Sequence, residues 1–142
     1  MNLKNKKGAV LVETAIILPL LLVIVFGIIE FGWAMYITNS LNNAAREGAR
    51  LAAVTPKPIT ADDARVDARV KSSLLFNYNK QDLTIVTIPP LASGDPVTVT
   101  VTLIFRELTP IIPLLDLINP KREAWTFKGK TLKGEATMRY EL

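Results

Sequence analysis

Residues 4–53 read KNKKGAVLVETAIILPLLLVIVFGIIEFGWAMYITNSLNNAAREGARLAA, and this stretch organises the rest of the chain. It holds a short basic leader, a small-residue junction at Gly8-Ala9, and then one long helical pattern whose first half is almost wholly apolar. From Ala9 to Ile29 the single ionisable residue is Glu13. At 1.5 Å per residue the run is roughly 31 Å long, enough to cross the hydrocarbon core of a bilayer. The sequence therefore predicts a membrane span over 9–29. Phe26, Phe31, Trp33 and Tyr36 gather around Glu30, an aromatic belt of the kind found where a helix leaves a membrane.

A carboxylate inside such a run is expensive in hydrocarbon and is kept only with a partner or a task. Glu13 is the fifth residue after Gly8, and Gly8 follows Lys4, Lys6 and Lys7. Basic residue, glycine, four small or apolar positions and glutamate: the run resembles the site cut by type IV prepilin peptidases, with the scissile bond between Gly8 and Ala9. Cleavage there would leave an ammonium group at Ala9, and the Glu13 carboxylate could pair with that of a neighbouring subunit, cancelling two charges that lipid penalises. The plain alternative is a glutamate near the end of an ordinary signal anchor.

With 142 residues and the first third in the helix, about 90 residues remain for a small soluble core. The net charge of +4 includes three leader lysines, so the chain beyond Gly8 carries 4 − 3 = +1. The basic balance is a targeting feature and not the footprint of a nucleic-acid binder. Positive charge before the span predicts a cytoplasmic leader and an extracytoplasmic C-terminal part. Cysteine and histidine are absent, which excludes thiol and imidazole chemistry and the usual zinc sites. A cleaved secretory signal fits poorly, because the apolar run is long, contains Glu13, and has no small-x-small site after Ile29.

Pro19 predicts a bend or a loosened turn in the span. Beyond residue 30 the helix turns amphipathic. Asn39, Asn42, Asn43, Arg46, Glu47 and Arg50 fall on one side, and Ile37, Leu41, Ala44, Ala45, Gly48 and Ala52 on the other, to about Val54. Ala44, Gly48 and Ala52 recur every four residues, as do Ala45, Ala49 and Ala53, so this face admits the close approach of another backbone. It serves packing on the chain's own sheet, on helices of neighbouring subunits, or both. Arg46, Glu47 and Arg50 are spaced for ion pairs along the helix.

Pro56 and Pro58 end that helix. Thr60 and Asp63 resemble a capping box, and Val66, Val70 and Leu74 mark a second helix to about Phe76. Its carboxylates do not converge and form a solvated face. The period then changes to two, with strands at Leu83–Ile88, in VTVTVTLIF from Val97, and at about Leu132–Tyr140. A turn at Ser93-Gly94-Asp95 joins the first two. The fold class is α+β: a long N-terminal helix, a short second helix, and a small antiparallel sheet covered by them. Between the second and third strands, Thr109–Pro120 (TPIIPLLDLINP) is too apolar for a solvated loop. It is read as part of the core, the alternative being a patch offered to a partner or a membrane. The basic residues after it, Lys121, Arg122, Lys128, Lys130 and Lys133, suit solvent or anionic headgroups.

The chain as a whole resembles the TadE-like pseudopilins of the tight-adherence (Tad, or Flp) type IV pilus systems. The resemblance is carried by GAVLVETAIILPLLLVIVFGIIEFG, by NAAREGAR, by VTVTVTLIF with the Pro-Leu-rich segment after it, and by ATMRYEL at the C-terminus. It implies a pilin-like architecture: a leader over 1–8, a helix over 9–54 with its transmembrane part 9–29 and amphipathic part 30–54, and an extracytoplasmic α+β domain over 55–142. It also implies a minor pilin or pseudopilin in the inner membrane, possessing no catalytic activity and no cofactor, that supports pilus assembly and surface adhesion. The implied partners are membrane lipid, a prepilin peptidase, other pilins and the Tad inner-membrane platform, with no nucleic acid and no small-molecule substrate. Gly8 and Ala9 would flank the cut, and Glu13 would serve recognition and assembly. The tyrosine that major Flp pilins place after this glutamate is Thr14 here. Two further readings remain: a single-pass anchored binding domain that never enters a filament, and, more remotely, an enzyme using Lys71, Ser72 or Ser73, none of which has an activating partner in sequence.

Overall fold

The computed structural model describes residues 3–56, 59–106, 108 and 129–141. The element order is α1 (Leu3–Ala53), α2 (Ala64–Ser73), β1 (Leu83–Ile88), β2 (Pro96–Ile104) and β3 (Thr131–Arg139). This is the α+β arrangement that the periodicities predict. Residues 109–128, which hold most of the Pro-Leu-rich stretch and its basic neighbours, lie outside the described residues. Among the described residues, one compact unit comprises 3–33 with Leu108 and the other 34–56, 59–106 and 129–141.

In the first unit α1 runs through Pro19 with helical assignment unbroken, so no turn melts there. Many of its apolar side chains lie open on the helix surface: Val10, Leu11, Val12, Ile16, Leu20, Ile24 and Ile28 are all more than half exposed. A surface of that composition needs lipid or other helices around it.

The second unit is built on a three-stranded antiparallel sheet of order β1-β2-β3. Registers Ile85↔Val101, Val101↔Gly134 and Val99↔Ala136 place the β-branched residues of β2 in the middle of one face. Val97, Val99, Val101 and Leu103 are buried, while Thr98, Thr100 and Thr102 line the other face and stay partly accessible. The turn before β2 uses Gly94 at φ +89°, a left-handed conformation that glycine adopts without penalty.

Two helices cover the apolar face. Ile37, Leu41, Ala44, Ala45, Ala49 and Ala52 of α1, and Val66 and Val70 of α2, are buried with it. The packing is very close at two glycines. A Cβ on Gly134 would lie 2.5 Å from the Asn42 nitrogen and 2.6 Å from the Leu41 carbonyl oxygen, so β3 touches the backbone of α1 there. A Cβ on Gly48 would lie 2.6 Å from Val70 Cγ2 and 3.3 Å from Val99 Cγ1. Side-chain and backbone bonds then tie the ends: Asn42 Oδ1 accepts from the Glu135 N–H (3.3 Å), the Glu141 N–H donates to the Ala53 carbonyl (3.2 Å), and the Tyr140 hydroxyl donates to the Thr55 carbonyl (3.0 Å). One buried hydroxyl, Thr87 Oγ1, has no hydrogen-bond partner among the described residues, a state that costs on the order of 1–3 kcal/mol.

Three local expectations are corrected. The N-cap of α2 is Asp63, not Thr60: Asp63 Oδ1 accepts the Arg65 N–H at 2.9 Å, and the helix starts at Ala64. Asp prevails because its carboxylate also takes the Arg65 guanidinium at 2.7 Å. The helix ends at Ser73 and not near Phe76, since Leu74 is already extended at ψ 127° and its backbone leads away toward α1. Glu47 does not pair along α1 but reaches across to Arg69 of α2, with Arg69 Nη2 2.5 Å from its Oε2. That hydrogen bond, with Arg50 and Arg69 as nearby positive charges, holds the Glu47 carboxyl below its usual value.

Two predictions follow from this packing. Gly134→Ala forces a methyl group into helix backbone that cannot yield, and should destabilise the chain by about 2 kcal/mol or more, lowering Tm by about 10 °C in micelles. Gly48→Ala meets only valine methyl groups, so a Val70→Ala background should relieve it, while the same background should leave the Gly134→Ala loss intact. The second concerns pH. The Arg65 side-chain hydrogen bond holds the Asp63 carboxyl below its ordinary value. A depressed folded-state pKa contributes stability above the unfolded value, about 3.9, and that contribution disappears as pH falls through the folded pKa. The Tm difference between the native chain and Asp63→Ala should therefore be full at neutral pH and shrink below about pH 4.

Candidate functional site

Gly8, Ala9 and Glu13 all lie on α1 and are exposed along its surface. Glu13 is the fifth residue after Gly8 on the helix, about 7.5 Å further along the axis. Among the described residues Glu13 has no hydrogen bond or ion pair. Its neighbour Thr14 satisfies its own hydroxyl by donating to the Val10 carbonyl at 2.9 Å, the back-bond by which a hydroxyl residue sits in an apolar helix without an outside partner. Glu13 has no such local route, since a carboxylate only accepts and every backbone N–H in mid-helix is already used.

The second acidic residue of α1 behaves differently. Glu30 is 4 % exposed, and its Oε1 accepts the Leu108 N–H at 3.1 Å. The aromatic belt around it is therefore accompanied by a buried carboxylate that holds a piece of backbone. The sequence offered Glu30 only as the centre of that belt.

In the second unit the small-residue face of α1 is filled from within the chain. Ala44, Ala45, Ala49 and Ala52 are each fully buried, and Gly48 lies on Val66, Val70 and Val99. The side of α1 that stays accessible there carries Met35, Tyr36, Asn39, Asn43, Arg46 and Arg50. Packing on the chain's own sheet thus takes up the face that also suits a neighbouring helix.

Sequence reasoning missed one further feature, the attachment of the α2–β1 loop to α1. The Leu75 N–H donates to Ser40 Oγ (3.3 Å) and the Leu75 carbonyl accepts from the Tyr36 hydroxyl (3.0 Å). Tyr36 and Ser40 are four apart and so stand on one face of the helix, a spacing that signals a shared partner without saying which.

Chemically the described residues form no reaction centre. They contain no group of carboxylates able to hold a metal ion. The charged residues of α2 are engaged in ion pairs, Lys71 with Asp67 at 3.3 Å among them. Ser72 and Ser73 both donate to the Arg69 carbonyl, at 2.9 and 2.8 Å, the ordinary satisfaction of hydroxyls in the last helical turn. A surface cavity of about 380 Å³ lined by Pro56, Ile59, Pro90, Leu91 and Tyr140 has tyrosine as its only titratable side chain among the described residues.

Residues 8–50 match the family model of TadE-like proteins. The matched stretch contains both the GAVLVE run and NAAREGAR, so the resemblance read from the sequence holds over the long helix. The apolar half of α1 is long and apolar enough for a single membrane crossing and fits a single-pass anchor. No curated protein and no solved structure matches the chain.

Proposed function

We propose that the chain is a pseudopilin, a minor and non-enzymatic structural subunit needed to assemble a Tad-type pilus that supports surface adhesion. A prepilin peptidase cuts it between Gly8 and Ala9, and the mature subunit stays in the cytoplasmic membrane through residues 9–29 until it joins the pilus or its assembly platform. The observation that carries this reading is Glu13: a carboxylate without a partner among the described residues, on a lipid-compatible helix, five residues beyond a glycine that ends a basic leader.

The physical argument is one of charge pairing. Alone in hydrocarbon the Glu13 carboxylate is penalised by several kcal/mol. The cut makes an ammonium group at Ala9, and the pair formed between two subunits lowers that penalty only when they stand side by side. The same pairing both drives association and sets the axial stagger of adjacent helices. Because the small-residue face of residues 44–52 is already occupied, contact between extracytoplasmic halves uses the Asn39, Asn43, Arg46 and Arg50 side of α1.

Glu13→Gln keeps the shape and removes the charge. It should leave the protein in the membrane and correctly folded, allow processing, and abolish pilus assembly and adhesion in a strain that lacks the native copy. Electron microscopy of pili and a surface-attachment assay read the outcome. Normal piliation by Glu13→Gln would falsify the pairing role and favour a permanently anchored binding domain.

A further inference from the structure

The second unit settles most of its charges internally. Arg65 pairs with Asp63, Arg69 with Glu47, Lys71 with Asp67, Arg106 with Asp82 and Lys133 with Glu135. Asp95 accepts the Ala92 N–H at 2.8 Å. Among the described residues of this unit two carboxylates are left without a bond, Asp62 and Glu141, and both residues are exposed. Asp62 stands two residues before the start of α2, where the helix dipole favours a negative charge. Glu141 has no such local role. Its backbone N–H is held by the Ala53 carbonyl at 3.2 Å, which fixes the residue beside the end of α1.

One place in the same unit is short of a carboxylate. Glu47, Arg50 and Arg69 border a notch of about 200 Å³ walled by Leu51 and Val54. Two guanidinium groups share one carboxylate there. Arg69 takes it, with Nε at 3.2 Å and Nη2 at 2.5 Å from Glu47 Oε2, and Arg50 stays exposed with no ion pair among the described residues. The wall is open too, Val54 being 53 % exposed. A free guanidinium beside an aliphatic wall suits a glutamate side chain, whose carboxylate an arginine can grip with two N–H groups.

We propose that the notch of one copy receives Glu141 of the next copy, its carboxylate pairing with Arg50. Successive residues of a helix turn by about 100°, so Ala53, where Glu141 is held, lies on a different flank of α1 from residues 47, 51 and 54 of the notch. The contact is therefore heterologous: it joins one copy to the next without closing on itself, as a growing filament requires. An exposed ion pair adds little affinity, and its effect is on which neighbour fits and in what register. The inference rests on copies of the chain standing side by side, as the proposed function has them.

Full chains are expressed in a strain that lacks the native copy, with the photo-cross-linker p-benzoylphenylalanine in place of Val54. Illumination should give a covalent dimer of the chain. Arg50→Glu alone sets two carboxylates against each other and Glu141→Arg alone two guanidinium groups, so each should cut the dimer several-fold. Co-expressed under different affinity tags, the two variants should restore it, as dimers carrying both tags. Pairing within one chain cannot explain that outcome, since each variant is repulsive internally. An unchanged Tm in micelles shows that the reversals leave the fold intact. A yield that ignores both reversals, or that co-expression does not restore, overturns the proposal. An adduct at 54 of another mass marks a different occupant and overturns it too. The same cross-linker in place of Ile16 reads the span separately. A dimer at 16 with a charge-independent yield at 54 removes the notch contact alone, whereas the expected result at 54 without a dimer at 16 removes the side-by-side spans alone.

Discussion

The second unit depends on one steric constraint: β3 lies against the backbone of α1, and nothing larger than glycine fits at position 134. That contact places Val101, the register partner of Gly134, under the helix and brings the rest of the β2 row with it. The alanines at 44, 45, 49 and 52 extend the same condition along α1, since each is buried without displacing the sheet. Burial of such small side chains contributes little transfer free energy individually. Their value is proximity, which lets Leu41, Val66, Val70, Val99 and Phe105 close into a core within a chain this short.

The constraint also divides the labour of α1. Its outer part is a structural helix whose small face is consumed inside the chain, and its first part leaves many apolar side chains exposed and Glu13 without a partner among the described residues. In the proposed function lipid covers the apolar surface, and the ammonium group of a neighbouring copy pairs with the carboxylate. Glu30 shows the contrast, being buried and bonded to the Leu108 backbone within its own chain.

Much of this was legible in the residues. Strict alternation in VTVTVTLIF marked the central strand, because a half-buried strand has period two and the threonines showed which face stays accessible. The apolar run from Ala9 to Ile29 and the small-residue repeats at 44–53 announced the long helix by composition and period. The cap of α2 was misplaced by three residues because Thr60 and Asp63 are both good caps, and the choice was made by Arg65, a side-chain contact that spacing does not encode. Glu47 was assigned to partners on its own helix, whereas Arg69 is 22 residues away in sequence. Tyr36 and Ser40 stand one turn apart, which suits a shared partner, but nothing in the sequence names Leu75 as that partner. Whether the small face meets its own sheet or a neighbour was open in the sequence for the same reason: both need the same residues.

The central claim is that α1 begins its working life at Ala9, with a new ammonium group near the lone carboxylate of the span. Intact mass and N-terminal sequencing of the membrane-extracted protein, from cells with and without the cognate prepilin peptidase, test it most directly. The account predicts a start at Ala9 when the peptidase is present and an unprocessed leader when it is absent. The same unprocessed N-terminus in both strains would contradict it and leave the chain a permanent membrane anchor.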